Sequence, residues 1–482
     1  MLEKRELVSN LIDDEIESVP TAVNKKLKKN NQKLKARLEF DQLKKEIDNF
    51  IDGKYANRFI VIPGLRNVGK TTLLFQVYEY LFKQKDISIN NILYMSCEDL
   101  NSLAECSVRE MVDIYLKNKF NKKLRTIDEK IFLLIDESHY DNNWAISGKI
   151  IHDKSDEIFM IFTGSSAISL EYNTDAARRL KKRPLTPLNY SQHLRLKFYQ
   201  DFQELSKAIN ELLFTGNVDN AIKFEKITND SLSNNLEYTS EDWDFYIKYG
   251  GFPVEEDKPM SDICEDIVSM SDRIVIDDLM QIKNITAENQ SNAKKILRHL
   301  ALQQPGEITQ VNLANYLKTS TANVNNILDL LEKTHLIFHC EPYGGSNKRI
   351  KKPWKYYFAM PSIMNALSLK AGNTLKNTKE FEGKLLENLV ASNLNNLSIR
   401  QLDDFTVYYD GNKSKNVDFI VQKNFESEIP IEVGRGKKNK RQIKHAMNRF
   451  NCQYGIVVSN KTRHIIKEDD VIYIPPRTFS FL

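Results

Sequence analysis

An apolar run, a glycine loop and a helical pattern follow one another near the start of the sequence, and this order constrains the fold most. The loop at residues 64–71 reads G-L-R-N-V-G-K-T, which matches the spacing G-x-x-x-x-G-K-[ST]. Residues 58–62 before it are mostly apolar, and residues 72–82 after it show helical periodicity. Glycines at this spacing let the backbone curl so that its amide N–H groups point inward, where the amino end of a helix adds partial positive charge. The pattern therefore predicts a phosphate-binding loop between a strand and a helix.

Side chains within this loop predict how a nucleotide is held. Lys70 is expected to reach the β- and γ-phosphates of ATP, and the Thr71 hydroxyl is expected to ligate Mg²⁺. The predicted nucleotide-binding residues of the loop are Gly64, Asn67, Val68, Gly69, Lys70, Thr71 and Thr72. ATP and Mg²⁺ are therefore the predicted cofactors.

Three further apolar runs, at residues 92–95, 131–135 and 158–162, alternate with amphipathic stretches. Continuous apolar runs with helices between them are typical of a parallel sheet that is covered on both faces. The sequence therefore predicts an α/β domain in which the phosphate loop joins one strand of a parallel sheet to a helix.

Polar residues follow two of these runs. Asp136 and Glu137 follow the run at 131–135, and Thr163 follows the run at 158–162. Because ligands bind at the carboxyl edge of such sheets, Asp136 is expected to hold Mg²⁺ through water, and Glu137 to orient or deprotonate the attacking water. Thr163 is expected to sense the γ-phosphate, with an ordinary polar turn as the alternative.

An arginine after the core strands completes the predicted catalytic set. Arg179 could supply a finger that stabilises charge in the transition state. The alternative is a surface arginine or one that faces DNA. The predicted catalytic residues are therefore Lys70, Glu137 and Arg179.

Composition bounds the class of protein. The chain has 482 residues, of which 41% are hydrophobic and 28% charged, and a net charge of +4, which is ordinary for a globular protein. Its five cysteines are scattered and odd in number, a usage that fits a reducing cytosol rather than a disulfide framework or a zinc site. The charged N-terminus lacks the apolar core of a signal peptide, and no stretch approaches the roughly 20 apolar residues that span a bilayer. We expect a cytoplasmic protein with no membrane partner.

Changes of pattern along the chain predict its organisation, and at roughly 150 residues per domain the length predicts about three domains. The predicted segments are a solvated helical lead-in at 1–50, a P-loop core at 51–200, a helical lid or connector at 201–290, a winged helix at 291–370 and a C-terminal α/β domain at 380–482.

Three short helical patterns and two β-like runs at residues 291–362 predict a helix-turn-helix with a wing. The third helix has no arginine or lysine before Lys333, whereas the predicted wing carries Lys351 and Lys352 among its cations. Such a wing favours phosphate contacts, which position a protein on DNA without reading its sequence. The alternative is a winged helix that only packs on the ATPase domain.

Taken together, these patterns resemble a family of prokaryotic AAA-type ATPases that carry a winged helix and a C-terminal restriction-endonuclease-like domain of unassigned function. The resemblance covers roughly residues 55–482. It rests on residues 64–72, Asp136-Glu137-Ser138-His139-Tyr140, Thr163-Gly164-Ser165-Ser166, Arg179, Gly250-Gly251-Phe252-Pro253, Lys355-Tyr356-Tyr357-Phe358, Val417-Asp418-Phe419 and Ile431-Glu432-Val433. It implies ATP binding and hydrolysis in roles linked to nucleic acid or to defence. The fold class is then an AAA-like P-loop NTPase domain, a helical and winged-helix region, and a restriction-endonuclease-like α/β domain.

Three carboxylates in the C-terminal part follow the order of a restriction-endonuclease site. Glu387 lies on a helical pattern, and Asp418 and Glu432 lie on successive strand patterns. Such carboxylates hold Mg²⁺ beside a scissile phosphate, with a lysine two residues after the last one. Gly434 stands at that lysine position, which favours a degenerate nucleic-acid-binding fold over an active nuclease. A purely structural role is the third alternative.

The segment after Glu432 is strongly basic, and it includes Lys437, Lys438 and Lys440. Such a cluster can neutralise phosphates, although a solvated basic helix start is the alternative. The sequence thus predicts an ATP-hydrolysing enzyme that is associated with DNA. The alternative is a nucleotide-gated switch whose partner is another protein or a second copy of the chain.

Overall fold

The computed structural model describes most of the chain. The described residues are 2–29, 32–54, 56–164, 178–253, 258–282, 285–303, 309–345, 349, 352–372, 378–402, 404–412, 416–423, 427–436 and 440–482. The chain forms two compact units, Met1–Leu185 and Thr186–Leu482. The first unit therefore includes the N-terminal 50 residues, whereas residues 186–200 of the predicted P-loop core belong to the second unit.

The first unit alternates helices and strands. Its helices are α1 (Leu2–Lys26), α2 (Leu38–Ile51), α3 (Lys70–Glu79), α4 (Cys97–Ala104), α5 (Val108–Phe120) and α6 (Trp144–Lys154), with shorter helical turns at Tyr80–Gln84, Ile89–Asn91 and Ser138–Tyr140. Its strands are β1 (Lys28–Lys29), β2 (Gln32–Lys33), β3 (Phe59–Pro63), β4 (Ile92–Ser96), β5 (Ile131–Asp136), β6 (Ile158–Gly164) and β7 (Lys181–Lys182).

Strands β4, β5, β6, β3 and β7 form a parallel sheet in that order. Every residue of β3, β5 and β6 is buried, as expected for strands that helices cover on both faces. The predicted P-loop NTPase fold is confirmed. Because all five strands run the same way, the loops after β3, β5 and β6 lie along one edge of the sheet.

Helix α1 contributes to the core of this unit. Val8, Ile12 and Ile16 recur every four residues, which places them on one helical face, and they are buried in the same cluster as Phe59 and Leu93. Burying each of these side chains stabilises the fold by roughly 1.5–3 kcal/mol. The expectation of a solvated lead-in is therefore wrong for α1, because its many charged residues conceal a narrow apolar stripe.

The second unit begins with helices and ends in a mixed sheet. Its described helices are α7 (Tyr190–Phe198), α8 (Gln203–Thr215), α9 (Asp219–Ser233), α10 (Glu241–Tyr249), α11 (Met260–Arg273), α12 (Leu279–Ile282), α13 (Ala287–Leu302), α14 (Gln310–Leu317), α15 (Thr321–Lys333), α16 (Pro361–Lys370), α17 (Lys379–Arg400), α18 (Lys440–Phe450) and α19 (Pro476–Phe479), and a π-helical turn covers Ile274–Asp278. Its strands are β8 (Ile337–Pro342), β9 (Lys355–Phe358), β10 (Phe405–Tyr409), β11 (Phe419–Lys423), β12 (Ile429–Gly434), β13 (Gly455–Ser459), β14 (Ile466–Glu468) and β15 (Val471–Ile474).

Helices α13, α14 and α15 precede the hairpin of β8 and β9, in the chain order that the sequence predicts. Thr286, Thr309 and Ser320 cap these helices, each accepting a backbone N–H bond through its side-chain oxygen. Such caps satisfy amide groups that a helix start leaves without a partner. Local sequence signals therefore fix where these three helices begin.

The hairpin of β8 and β9 belongs to the C-terminal sheet. Eight strands pair in the order β14, β15, β13, β12, β11, β10, β8 and β9. Strand β10 runs parallel to β8, with Tyr408 opposite Glu341 and Tyr409 opposite Pro342. This pairing covers a strand edge that a free two-stranded wing would leave open. The boundary predicted at residues 370–380 therefore does not separate two sheets.

None of the described helices is both long enough and apolar enough to cross a membrane.

Candidate functional site

Two glycines shape the loop between β3 and α3. Gly69 has φ +97°, in the left-handed region that favours glycine, and it is the N-cap residue immediately before α3. At Gly64, a Cβ atom would lie 2.5 Å from the Leu185 carbonyl oxygen, so a larger residue would displace the strand partner. Gly69 is therefore required by its backbone conformation, and Gly64 is required by the close approach of Leu185.

Lys70 is buried at the first turn of α3. Its Nζ donates to the carbonyl oxygens of Gly64 at 3.1 Å and of Leu65 at 3.2 Å. The side chain is 5% exposed, and both bonds remain inside the loop. The ammonium charge is thus held against the loop backbone, beside the amino end of α3, where anions are favoured.

Asp136 accepts hydrogen bonds from three hydroxyl groups. The Thr71 hydroxyl donates to Asp136 Oδ2 at 2.6 Å, and the Tyr94 hydroxyl donates to the same oxygen at 3.1 Å. The Thr163 hydroxyl donates to Asp136 Oδ1. The structure thus brings together the predicted residues Thr71, Asp136 and Thr163, whereas Ser165 and Ser166 lie outside the described residues.

Tyr94 is a member of this cluster that sequence reasoning missed. It lies within the apolar run that forms β4, so only its hydroxyl group could have signalled a polar role. Burial and the nearby Asp136 carboxylate raise the pKa of the Tyr94 hydroxyl well above its usual range. The hydroxyl therefore stays protonated and remains a donor to Asp136.

Glu137 follows Asp136 in a left-handed backbone conformation, with φ +47°. Its amide N–H lies 3.1 Å from Asp136 Oδ1 and 3.3 Å from Thr163 Oγ1, so the residue is tied to the same cluster. Its carboxylate Oε2 lies 3.2 Å from Nδ1 of His139, a side chain that is 2% exposed. Sequence reasoning did not assign a role to His139.

Arg37 contacts the phosphate loop from the N-terminal segment. Its Nη1 donates to the Val68 carbonyl oxygen at 2.7 Å, and its side chain is 5% exposed. The guanidinium also binds Glu39 through two bonds of 3.3 Å. The segment that was expected to be a solvated lead-in therefore contacts the phosphate loop, and no local pattern in the sequence signals this contact.

Arg179 lies toward the opposite edge of the sheet. Lys181, two residues later, pairs with Ile60 near the start of β3, whereas the phosphate loop follows the end of that strand. The Arg179 Nε donates to Asp153 Oδ1 at 3.2 Å, near the end of α6. Arg179 thus contacts Asp153 and not the phosphate loop, and its role as an arginine finger stays a prediction.

The second unit contains the carboxylates that were predicted to form a nuclease-like site. Glu387 Oε1 accepts a 2.9 Å bond from the Tyr357 hydroxyl and lies 3.6 Å from Lys355 Nζ. Burial raises the pKa of Glu387 to about 7, a shift that Lys355 opposes and Asp418 increases. Asp418 Oδ2 accepts the Val433 N–H at 2.7 Å. Glu387 and Asp418 therefore lie within electrostatic reach of each other.

Glu432, the third carboxylate, is 2% exposed on β12. Gly434, which stands at the lysine position, ends the same strand opposite Ser459. Within the described ranges, no group of three or more His, Cys, Asp or Glu side chains lies close enough to hold a metal ion. The nuclease-like assignment stays a prediction.

Two cations of the predicted nucleic-acid patch are engaged within the second unit. Lys352 Nζ donates to the Gly411 carbonyl oxygen, and Lys440 Nζ lies 2.7 Å from Glu468 Oε2. Lys351, Lys437 and Lys438 lie outside the described residues. The two described cations of the patch are thus engaged with oxygen atoms of the second unit.

Sequence comparison places the chain among known proteins. Uncharacterized protein MJ1637 of Methanocaldococcus jannaschii is 31% identical over 450 residues, which cover 93% of this chain and 90% of that protein. The chain belongs to the MJ1637 family. Uncharacterized protein MJ1544 of the same organism is 25% identical over 428 residues, covering 86% of this chain and 83% of that protein.

Three family models match successive parts of the present chain, a member of the MJ1637 family. They are an AAA domain at residues 56–194, a domain of unknown function (DUF8612) at 240–375 and a domain of unknown function (DUF4143) at 382–479. The first match, together with the parallel sheet, confirms an AAA-type P-loop domain with an ATPase-type, nucleotide-binding function. The winged-helix and nuclease-like assignments remain predictions.

Among solved structures, the ORC1 protein of Aeropyrum pernix in complex with DNA is 11% identical, with a TM-score of 0.32, over 72% of this chain and 96% of that one.

Proposed function

We propose that the chain binds ATP at the loop of residues 64–71 and hydrolyses it with Mg²⁺. The observation that carries this proposal is the Asp136 cluster, in which Thr71 of the phosphate loop and Thr163 of the neighbouring strand both donate to one carboxylate. The cluster lies at the carboxyl edge of the sheet, where nucleotides bind in folds of this class.

The donors at this edge fit a magnesium ion. The Thr71 hydroxyl and the Asp136 carboxylate are hard oxygen groups whose oxygens lie 2.6 Å apart, and Mg²⁺ prefers such ligands together with substrate phosphates. A bound Mg²⁺ would neutralise charge on the β- and γ-phosphates. Thr71 would hold the ion directly and Asp136 would hold it through water.

The remaining residues of the cluster act on substrate and water. Lys70 exchanges its bonds to the loop carbonyls for contacts with the β- and γ-phosphates. Glu137 orients the attacking water and accepts its proton, which is the role of a general base. Thr163 donates its hydroxyl toward the γ-phosphate. The backbone amides of the loop bind the phosphate oxygens.

Removing magnesium tests the proposal. Phosphate release from ATP by the purified chain is expected to fall by at least about 10²-fold when EDTA chelates the metal, because charge stabilisation by the ion is worth several kcal/mol. Asp136→Asn is expected to show a comparable loss in the presence of Mg²⁺. Asp156→Asn is the matched control, since Asp156 is 91% exposed on the same unit. Turnover that is indifferent to EDTA would count against the proposal.

We further propose that the chain associates with DNA and that the nucleotide state controls the second unit. The support is the basic segment after Glu432, which includes Lys437, Lys438 and Lys440. DNA affinity is expected to fall steeply with salt, and changing all three lysines to alanine should flatten the dependence by about 0.9 in slope for each phosphate that is no longer neutralised. Alanine at Lys117, Lys122 and Lys123 of the first unit is the control. No measurable binding at low salt would refute DNA association.

A second candidate function is a nucleotide-gated switch that binds a protein. The observation that favours it is the internal engagement of Lys352 and Lys440, which leaves these two ammonium groups bound to the unit's own oxygen atoms. If the chain hydrolyses ATP but shows no salt-dependent DNA binding, this second candidate is the better account.

A further inference from the structure

A general base needs a fixed orientation as well as a suitable position. In catalytic sites that use a general base, another side chain commonly orients the base without touching the substrate. We infer that His139 is the positioning residue for Glu137, an assignment that rests on the proposed hydrolysis of ATP.

The contact between the two side chains carries the inference. Nδ1 of His139 lies 3.2 Å from Oε2 of Glu137, a contact whose length suits an ion pair although its angles fall short of a hydrogen bond. Oε2 itself is buried, although the Glu137 side chain as a whole is 25% exposed. One carboxylate oxygen of Glu137 thus lies buried beside the imidazole, while other atoms of the side chain contact solvent.

The imidazole is itself held firmly. The His139 ring packs against Tyr140, with ring centroids 4.7 Å apart, and a Cβ atom on Gly164 would lie 3.4 Å from Nδ1. The turn that carries the ring is closed by the Tyr140 N–H, which donates to the Glu137 carbonyl oxygen at 3.1 Å. A buried ring in a closed turn has little freedom to move.

Both ends of Glu137 are therefore fixed. Its backbone N–H is tied to Asp136 and Thr163, and its Oε2 faces His139. With these two constraints, Oε1 is the oxygen left to accept a proton from water. His139 contributes by orientation alone, and no proton needs to pass through it.

Three substitutions separate this role from a merely structural one. His139→Ala is expected to lower kcat for ATP by roughly 10-fold and to change KM by less than about 2-fold, because an interaction used only in the transition state affects kcat. His139→Asn keeps an N–H donor close to the position of Nδ1 and should recover most of the lost rate. His139→Phe keeps the ring but has no N–H, so it should behave like alanine.

His152→Ala is the matched control, since His152 is the other histidine of the first unit and lies on α6. Its kcat should equal that of the unsubstituted chain. If the alanine variant fails to fold, the phenylalanine variant tests the role of the His139 N–H group, because phenylalanine preserves the packing of the ring. Wild-type kcat in a folded His139→Phe protein would overturn the inference, as would equal losses in the phenylalanine and asparagine variants.

The Glu137→Gln protein separates this inference from the function on which it rests. If Glu137→Gln turns over ATP normally, the assignment of the base fails. If it stops turnover while His139→Phe does not slow it, only the role of His139 fails. In the Glu137→Gln background, adding His139→Ala should cause no further loss, since residues that act as one unit are not additive.

Discussion

Replacing Lys70 with alanine is expected to abolish measurable ATP binding. The ammonium group is held in the loop by the carbonyl oxygens of Gly64 and Leu65, so it is already placed beside the curled backbone that the phosphates would enter. Hydrogen bonds to charged groups are worth about 1.5–3 kcal/mol each, and Lys70 is expected to make two of them. A loss of affinity of about 10²-fold or more follows.

Isothermal titration with ATP and Mg²⁺ measures this effect. Lys83→Ala is the matched control, because Lys83 lies in the helical turn that follows α3. Its ammonium group pairs with Glu79 and not with the phosphate loop. A thermal unfolding curve for each variant excludes loss of the fold as the cause. An unchanged affinity in folded Lys70→Ala protein would disprove that residues 64–71 bind the phosphates.

Glu137→Gln is expected to keep ATP bound and to stop its hydrolysis. The substitution preserves shape and removes the negative charge, so the amide can still lie near His139 but can no longer accept a proton from water. Loss of a general base lowers the rate by roughly 10²–10⁴-fold. The affinity for ATP should stay within about 2-fold of the unsubstituted chain, because Glu137 is not expected to touch the phosphates before the reaction.

Single-turnover phosphate release measures the chemical step, and a filter-binding assay measures retained nucleotide. Glu129→Gln provides the control, since Glu129 is an exposed acid of the same unit whose carboxylate accepts a hydrogen bond from the Asn91 side chain, away from the phosphate loop. Full turnover in the Glu137→Gln protein would refute the assignment of the base.

The parts of the site that could be predicted depend on short stretches of chain. The loop of residues 64–71 is recognisable because the glycines, the lysine and the threonine are neighbours in sequence, and their backbone conformation is local. Asp136 and Thr163 could be predicted because parallel strands end at a common edge. The direction of the strands alone is enough to predict that these two side chains lie near each other.

The parts that could not be predicted depend on packing between distant segments. Arg37 reaches Val68 across 31 residues, and Tyr94 reaches Asp136 across 42 residues. No periodicity or motif in either segment records these contacts. The charges of Lys352 and Lys440 were visible in the sequence, but their partners Gly411 and Glu468 were not, so the availability of these cations could not be judged from composition.

The pairing of β10 with β8 has a consequence for how the two segments of the second unit can evolve. The two family models of the second unit meet between residues 375 and 382, yet the strands on either side of that junction lie in one hydrogen-bonded sheet. Recombination at the junction would give each descendant only part of a sheet. Selection should therefore keep the two segments together on one gene, and exchange of either one should succeed only when the new segment brings a strand that matches the register of its neighbour.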